Sequence, residues 1–145
     1  MRPRKTVYLI DHRPVEFSVM SMRLYLWGFR VLPAGHPSAP HKGSDDPVLD
    51  LVLCFLPPDH AAEWATYAQW VGRVNDARVI LVGSPQDLYG HTAHAALPLS
   101  TSQAEMREML MIQASRKRGP KGDHHRVQFA ASAEPVHAPR REGQP

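Results

Sequence analysis

The sequence predicts a doubly wound α/β domain, in which a parallel sheet of five strands lies between two layers of helices. Apolar runs of four to eight residues alternate with segments whose apolar residues recur at helical spacing. The runs are continuously apolar, which is typical of strands buried on both faces of a parallel sheet. Glycine, proline and aspartate separate the two kinds of segment, so each element has a visible start or end.

The first third of the chain predicts a strand, a helix and a second strand. Thr6–Asp11 is an apolar run that ends on a carboxylate. Pro14 suits the first turn of the helix that follows, and Gly28 suits its end. Residues 29–32 predict a short second strand. The apolar residues whose spacing predicts the helix are Val15, Val19, Met22 and Leu26.

The middle of the chain predicts a loop, the central strand, a helix and a fourth strand. Residues 33–47 contain four prolines and two glycines, which favours a loop. Residues 49–56 form the most hydrophobic run and are predicted to be the central strand. Asp59 is the expected N-cap of a helix over residues 60–74. Residues 78–82 form the next buried strand.

The end of the folded region predicts a last strand and a last helix. Residues 86–94 are polar and leave little room for a helix. Residues 95–98 predict the fifth strand, and Ser100 or Thr101 is expected to cap the helix after it. Basic residues from Arg116 onward follow that helix, where they complement the helix dipole.

The distribution of charge divides the chain into two parts. Residues 1–115 hold ten basic and eleven acidic residues, a balance of −1. Residues 116–145 hold seven basic and three acidic residues, a balance of +4. Apolar periodicity also stops in the second part. We therefore predict a folded domain over residues 1–115 and a basic, disordered tail over residues 116–145.

The composition also indicates where the protein works. A single cysteine, Cys54, excludes an intramolecular disulfide framework and fits a reducing compartment. The apolar run near the amino terminus is too short for a signal peptide, and no stretch approaches the roughly 20 apolar residues of a membrane span. We expect a cytoplasmic protein that does not associate with membranes.

In their order and spacing, these elements resemble the receiver domain of response regulators, the CheY-like family. The segments that carry the resemblance, within residues 5–115, are Ile10-Asp11, Leu24-x-x-x-Gly28-Phe-Arg-Val31, Asp50-Leu-Val-Leu, Val79-Ile-Leu-Val82 and Leu97-Pro98. The resemblance implies the flavodoxin-like, three-layer arrangement with a five-stranded parallel sheet. The family's fourth helix is expected to be shortened or missing, because Pro85 and Gly90 lie in the short segment available for it.

The resemblance also implies a phosphorylated aspartate, but the chain departs from the residues that this chemistry needs. Receivers hold Mg²⁺ with two acidic residues after the first strand. They place the acceptor aspartate on the third strand, a Ser or Thr after the fourth and a Lys after the fifth. The residues at those positions here are Asp11 and His12, Phe55 or Cys54, Gly83 with Ser84 beside it, and Leu99. Since only Asp11 is a carboxylate, the sequence predicts a poor Mg²⁺ site and no phosphoryl acceptor.

These departures predict a degenerate, stand-alone receiver-like module that takes part in signalling without being phosphorylated. We expect no catalytic residues, no metal and no cofactor. Such a module would act through contact with a protein partner, whose identity the sequence does not specify.

Two other kinds of function stay open. One is association with nucleic acid through the basic residues of the tail, with an affinity that falls steeply as salt rises. Those residues are Arg116, Lys117, Arg118, Lys121 and Arg126. The other is a small enzyme or ligand-binding domain that uses a crevice at the strand ends around Asp11, His12 and Ser84.

Two further residues have an ordinary and a functional interpretation. Cys54 lies among Leu53, Phe55 and Leu56, so packing in the core is favoured over a redox role. Trp70 drifts off the apolar side of its helix and is the expected exposed aromatic residue.

Overall fold

The computed structural model describes residues 4–34, 48–116 and 127–128 of the chain, in which strands and helices alternate. The strands are β1 (Thr6–Asp11), β2 (Arg30–Ala34), β3 (Leu51–Phe55), β4 (Arg78–Gly83), β5 (Thr92–Ala93), β6 (Ala95–Pro98) and β7 (Val127–Gln128). The helices are α1 (Pro14–Leu26), α2 (Ala61–Asn75), α3 (Pro85–Leu88) and α4 (Gln103–Ser115). Each predicted element is present, and its ends lie within three residues of the predicted ones.

The main sheet has five parallel strands in the order β2-β1-β3-β4-β6. This is the strand order of flavodoxin-like folds, in which the first strand lies inside the sheet beside the third. The predicted fold class is therefore confirmed. A second, two-stranded sheet pairs β5 with β7 in antiparallel fashion.

The core has two halves, one on each face of the sheet. Alternate residues of the buried strands face α1 and α4, among them Leu9, Leu53 and Ile80. Their neighbours Ile10 and Cys54 face the other way, toward α2. Because both faces are covered, the strands have to be apolar at every position, which explains the continuous runs in the sequence.

The helix ends correct two predictions. The N-cap of α2 is His60, without a side-chain cap hydrogen bond, so the expected cap at Asp59 is wrong by one residue. The N-cap of α4 is Ser102, whose hydroxyl accepts from the backbone N–H of Glu105 in a capping box. Thr101 instead donates its hydroxyl to the carbonyl oxygen of Pro98 at 2.6 Å, so it is not the cap.

Helix α1 has apolar residues on two sides. Met20 and Leu24 are buried against the sheet. The residues that predicted the helix lie on the opposite side and are exposed: Val15, Val19, Met22 and Leu26. The predicted helix is confirmed, but its apolar stripe does not face the core.

The segment between β4 and β6 is as short as predicted. It holds only the four-residue helix α3 and the two-residue strand β5. His94, between β5 and β6, is buried, and its Nδ1 accepts from the backbone N–H of Val79 at 2.9 Å. The reduced fourth helix of the predicted fold is therefore confirmed.

Parts of two predictions lie outside the described residues. The predicted loop at 33–47 begins within β2, and its residues 35–47 are not described. In the predicted tail, α4 ends at Ser115 and only Arg116 and β7 are described. The division at residues 115 and 116 stays a prediction. Within the residues that are described, no helix combines the length and the apolar character needed to cross a bilayer.

Candidate functional site

The carboxyl ends of the central strands bring the predicted site residues to one edge of the sheet. Asp11 of β1 pairs in register with Phe55 of β3, and Phe55 pairs with Val82 of β4. Gly83 pairs in turn with Pro98 of β6. Ligands of doubly wound sheets bind at this edge, next to the strand where the order reverses. Here that strand is β1.

Asp11 is held by an arginine two residues further along the chain. Its side chain is fully buried, and both carboxylate oxygens are engaged. Arg13 donates from Nε to Oδ1 and from Nη2 to Oδ2, each at 2.9 Å, which is the bidentate arrangement typical of an arginine–carboxylate pair. The backbone N–H of Arg13 also donates to Oδ1 at 3.0 Å. The hydrogen bond to the Asp11 carboxylate raises the pKa of Arg13, so the guanidinium stays charged.

The same guanidinium lies over the ring of Phe55, with its central carbon 4.9 Å from the ring centroid. An arginine over an aromatic face is attracted by the ring's quadrupole. Asp11, Arg13 and Phe55 therefore form a closed unit, which we call the arginine cluster. The cluster thus brings together a buried carboxylate, its cation and an aromatic ring at the ends of β1 and β3.

The side chain of His12 makes different contacts from those of Asp11. Its Nδ1 lies 3.9 Å from Oδ1 of Asp11, too far for a hydrogen bond. The ring instead packs edge-on against Trp64 of α2, with 5.7 Å between the centroids. The His12 side chain is 33% exposed and packs on Trp64, so it borders the arginine cluster without joining its hydrogen bonds.

Cys54 is on the other face of the sheet from the arginine cluster. It is fully buried with the α2 side of the core, and its Sγ lies 3.9 Å from the carbonyl oxygen of Trp64. Burial, and next the nearby Asp11, raises the pKa of the Cys54 thiol, which disfavours the reactive thiolate. The prediction that Cys54 packs in the core is confirmed. Of the two candidate acceptor positions, Phe55 is the one that faces Asp11.

The remaining predicted residues have structural contacts. Gly83 is buried and has no side-chain hydroxyl. Ser84 is the N-cap of α3, where its Oγ accepts from the backbone N–H of Asp87 at 3.1 Å. Leu99 donates its backbone N–H to the carbonyl oxygen of Gly83 at 3.2 Å, while its side chain is exposed. Leu99 thus does not fill the crevice, and Ser84 is engaged in a helix cap.

The residues at this edge do not suit Mg²⁺. The ion needs several oxygen ligands in octahedral geometry. The Asp11 carboxylate already has both oxygens bonded to Arg13, and Phe55 offers no oxygen. Across the described part of the chain, no three His, Cys, Asp or Glu side chains come together in a way that could hold a metal ion.

Arg13 is the residue of this site that the sequence interpretation missed. Its signal is the spacing Asp-x-Arg directly after a buried strand, followed by a proline that starts a helix. That spacing turns the chain at His12 and brings the guanidinium back to the carboxylate. The contact with Phe55 depends on the pairing of β1 with β3, which no local pattern reveals.

Other charged and open regions lie away from the arginine cluster. Of the five tail residues predicted to contact nucleic acid, only Arg116 is described, at the C-cap of α4. Lys117, Arg118, Lys121 and Arg126 lie outside the described residues. A groove of about 360 Å³ opens at the amino-terminal edge of the sheet, between the ends of α1 and α4.

Comparison with solved structures places this fold among receiver domains. A response regulator receiver domain protein from Clostridium thermocellum matches 77% of this chain and 95% of its own, with a TM-score of 0.60 and 13% identity. The non-phosphorylated HemR receiver domain from Leptospira biflexa matches 81% and 99%, with a TM-score of 0.62 and 18% identity. A structure described as adenylate cyclase from Rhodopirellula baltica matches 77% and 88%, with a TM-score of 0.62 and 10% identity.

Comparisons at the level of sequence add nothing to this assignment. A scan against models of protein families found no match, and a search of curated proteins found none either. At identities of 10–18%, the structural matches bear on the fold. Taken with the strand order, the two-sided core and the placement of Asp11, they show that the chain has the CheY-like fold of response-regulator receiver domains.

Proposed function

We propose that this protein is a non-phosphorylatable, receiver-like signalling module that acts through contact with other proteins. In this proposal residues 1–115 form the module, residues 116–145 form a basic tail, and the protein works in the cytoplasm without catalysis. The observation that carries the proposal is the arginine cluster.

The arginine cluster supports the loss of phosphorylation through its charge balance. Phosphoryl transfer needs a positioned nucleophile, a metal ion and a cation that stabilises the transferred group. The buried carboxylate of Asp11 is paired with Arg13 within the chain, so both of its oxygens are already engaged by a cation. The ring of Phe55 takes the place of an acceptor carboxylate. Gly83 and Leu99 leave the remaining two roles without a hydroxyl or an ammonium group.

Contact with another protein is the function that such a fold can keep without this chemistry. The enzyme interpretation needed Ser84 and His12 to be available at the strand ends. Ser84 caps α3 and His12 packs on Trp64, which weighs against a catalytic arrangement with Asp11. Large apolar side chains are exposed elsewhere, chiefly on α1. A group of such residues on one helix suits recognition of a partner.

The first experiment tests phosphorylation directly. The full chain is incubated with Mg²⁺ and acetyl phosphate beside a phosphorylatable receiver, and intact mass is measured. We expect no adduct on this protein while the control gains one phosphoryl group. The double variant Arg13→Gln/Phe55→Asp is a matched comparison, because it frees Asp11 and supplies a second carboxylate. A stable adduct on Asp11 or Cys54 of the unmodified protein would overturn the proposal.

A second experiment separates protein contact from nucleic-acid association. The full chain and a variant with the tail's basic residues changed to Gln are used for affinity capture, each with and without nuclease. Those residues are Arg116, Lys117, Arg118, Lys121 and Arg126. We expect the same protein partner in all four samples. Capture that needs the tail charges and disappears with nuclease would favour the nucleic-acid alternative and sink this part of the proposal.

A further inference from the structure

The exposed side of α1 carries an apolar stripe that is not used by the core. The stripe consists of Val15, Val19, Met22 and Leu26. Val15 and Leu26 at its ends are 70% and 71% exposed, and Met22 and Val19 between them are 58% and 42% exposed. These residues lie on the side of the helix opposite Met20 and Leu24, which are buried against the sheet. A single exposed apolar residue is ordinary, but four aligned on one helix indicate a contact surface.

The spacing of the stripe is the same in both directions. Its residues are separated by four, three and four positions. A second copy of α1 laid antiparallel therefore sets Val15 against Leu26 of the other copy and Val19 against Met22. Each apolar side chain meets an apolar side chain, which is the self-complementary arrangement that a two-fold symmetric interface requires.

The charges beside the stripe match the same arrangement. Glu16 and Arg23 lie on one flank of the stripe, seven residues and two turns apart. A two-fold axis perpendicular to the two helices keeps these flanks on the same side of the pair. It brings Glu16 of each copy beside Arg23 of the other. In a parallel pair the charged flank would instead meet Ser18, Ser21 and Tyr25 of the other copy. The Arg4 guanidinium that lies over Tyr25 would then be nearer to Arg23, a like charge, than to Glu16.

We propose that α1 is the dimerisation surface of this protein and that its occupant is an antiparallel α1 of a second copy. The proposal is independent of phosphorylation and goes beyond the signalling role. A 13-residue helix is about 20 Å long, so the contact is small beside the roughly 1,200–2,000 Å² of stable complexes. We therefore expect a dissociation constant in the range of about 10–100 µM.

The dimer is tested by sedimentation of the full chain between 5 and about 500 µM, a range that brackets this affinity. The unmodified protein is expected to shift from monomer to dimer. Val19→Glu should weaken association at least about 30-fold, because it puts like charges into both halves of the interface. Val74→Glu is the matched control, since Val74 is similarly exposed but lies on α2. It should leave the dimer unchanged.

Charge reversal tests the antiparallel geometry. Glu16→Arg and Arg23→Glu should each weaken self-association, since each puts like charges together across the pair. Mixed in equal amounts, the two variants should form a heterodimer, because one copy then carries two arginines and the other two glutamates. Circular dichroism of every variant checks that the fold is kept. This rescue by mixing is expected only if Glu16 faces Arg23 of the other copy.

Three results would overturn the proposal. The protein could remain a monomer throughout the concentration range, which would leave the stripe to another segment of the chain or to a different protein. It could dimerise with equal strength after Val19→Glu. It could also lose association in both charge variants without recovering it on mixing, which would remove the antiparallel arrangement.

Discussion

Breaking the contact between Arg13 and Asp11 should lower the free energy of unfolding by more than the loss of a surface ion pair would. Replacing Arg13 with Met keeps an unbranched side chain over Phe55 but leaves the buried carboxylate of Asp11 without its cation. Removal of one partner from a buried ion pair costs about 3–5 kcal/mol. The Arg13 side chain is 32% exposed, so water screens part of the interaction. We therefore expect a loss of about 2 kcal/mol, at the weaker end of buried pairs.

A double-mutant cycle measures this quantity. Urea unfolding at 25 °C is followed for the unmodified protein, Arg13→Met, Asp11→Asn and the double variant. The two single changes should each be strongly destabilising, and the double variant should lose less than their sum. We expect a coupling free energy of about 1.5–2 kcal/mol. The melting temperature of Arg13→Met should fall by about 8 °C, at roughly 4 °C per kcal/mol for a domain of this size.

A coupling free energy below about 0.5 kcal/mol would refute the reasoning, because exposed pairs typically give values of that size. Water would then be able to replace the two hydrogen bonds of 2.9 Å between Arg13 and Asp11 with little loss of stability. Arg23→Met is a suitable control, because it removes an arginine from the outer flank of α1. It should change the free energy of unfolding by less than about 0.5 kcal/mol.

Three further predictions follow from other contacts. Cys54 is buried and the pKa of its thiol is raised. Iodoacetamide at pH 8 should therefore label the native protein at least roughly 100-fold more slowly than the urea-unfolded chain. Fast labelling of the native protein would contradict the burial of Cys54. Burial lowers the pKa of His91, so the unfolded chain binds more protons there below about pH 6.5. The contribution of His91 to the free energy of unfolding is complete above that pH and is lost as the pH falls through it. His91→Gln should therefore reduce the pH dependence of the free energy of unfolding, measured in urea, below about pH 6.5. An unchanged pH dependence would contradict this role of His91. An added Cβ at Gly72 overlaps the side chain of Val79, so Gly72→Ala should destabilise by about 1–3 kcal/mol despite its higher helix propensity. Gly83→Ala meets only ordinary contacts and should change stability by less than about 1 kcal/mol in the same urea assay; similar losses in both variants would exclude overlap as the cause.

The sheet could be predicted from the sequence because burial on both faces leaves a strong local signal. Every residue of β3 and β1 is buried, so their runs are apolar without interruption. Pro57 and Gly83 then mark where strands end. The helix starts were less predictable, because several polar residues in a row can cap a helix. Ser102 is the cap of α4, and Glu105 three residues on completes its capping box. Thr101 has Ala104 at that position, but Ser100 has Gln103, which also fits the pattern, so the sequence alone does not choose between Ser100 and Ser102.

The orientation of α1 could not be predicted from its spacing. Val15, Val19, Met22 and Leu26 give the expected period, and so do Phe17, Met20 and Leu24 on the other side. Periodicity identifies a helix with two apolar sides but does not say which side the sheet covers. The buried side is defined by the contacts of Met20 and Leu24 with the sheet, which a local pattern does not encode.

The sequence predicts where the candidate site lies but not which contacts its residues make. The strand ends that gather Asp11, Phe55 and Gly83 follow from the parallel topology. The role of Arg13 does not, because an arginine after a strand usually points into solvent and gives no sign that it returns to a buried carboxylate. A parallel register of β1 with β3, across more than 40 residues of chain, is needed to bring Phe55 beneath it.

A cation supplied by the chain itself behaves differently from one taken from solution. Arg13 is tethered two residues from Asp11, so its effective concentration at the carboxylate is set by chain geometry. Dilution cannot deplete it and a chelator cannot remove it. In a domain built this way, the carboxylate at the strand ends keeps its own cation in every ionic environment in which the chain remains folded. The occupancy of this cation position therefore does not depend on the metal content of the solution.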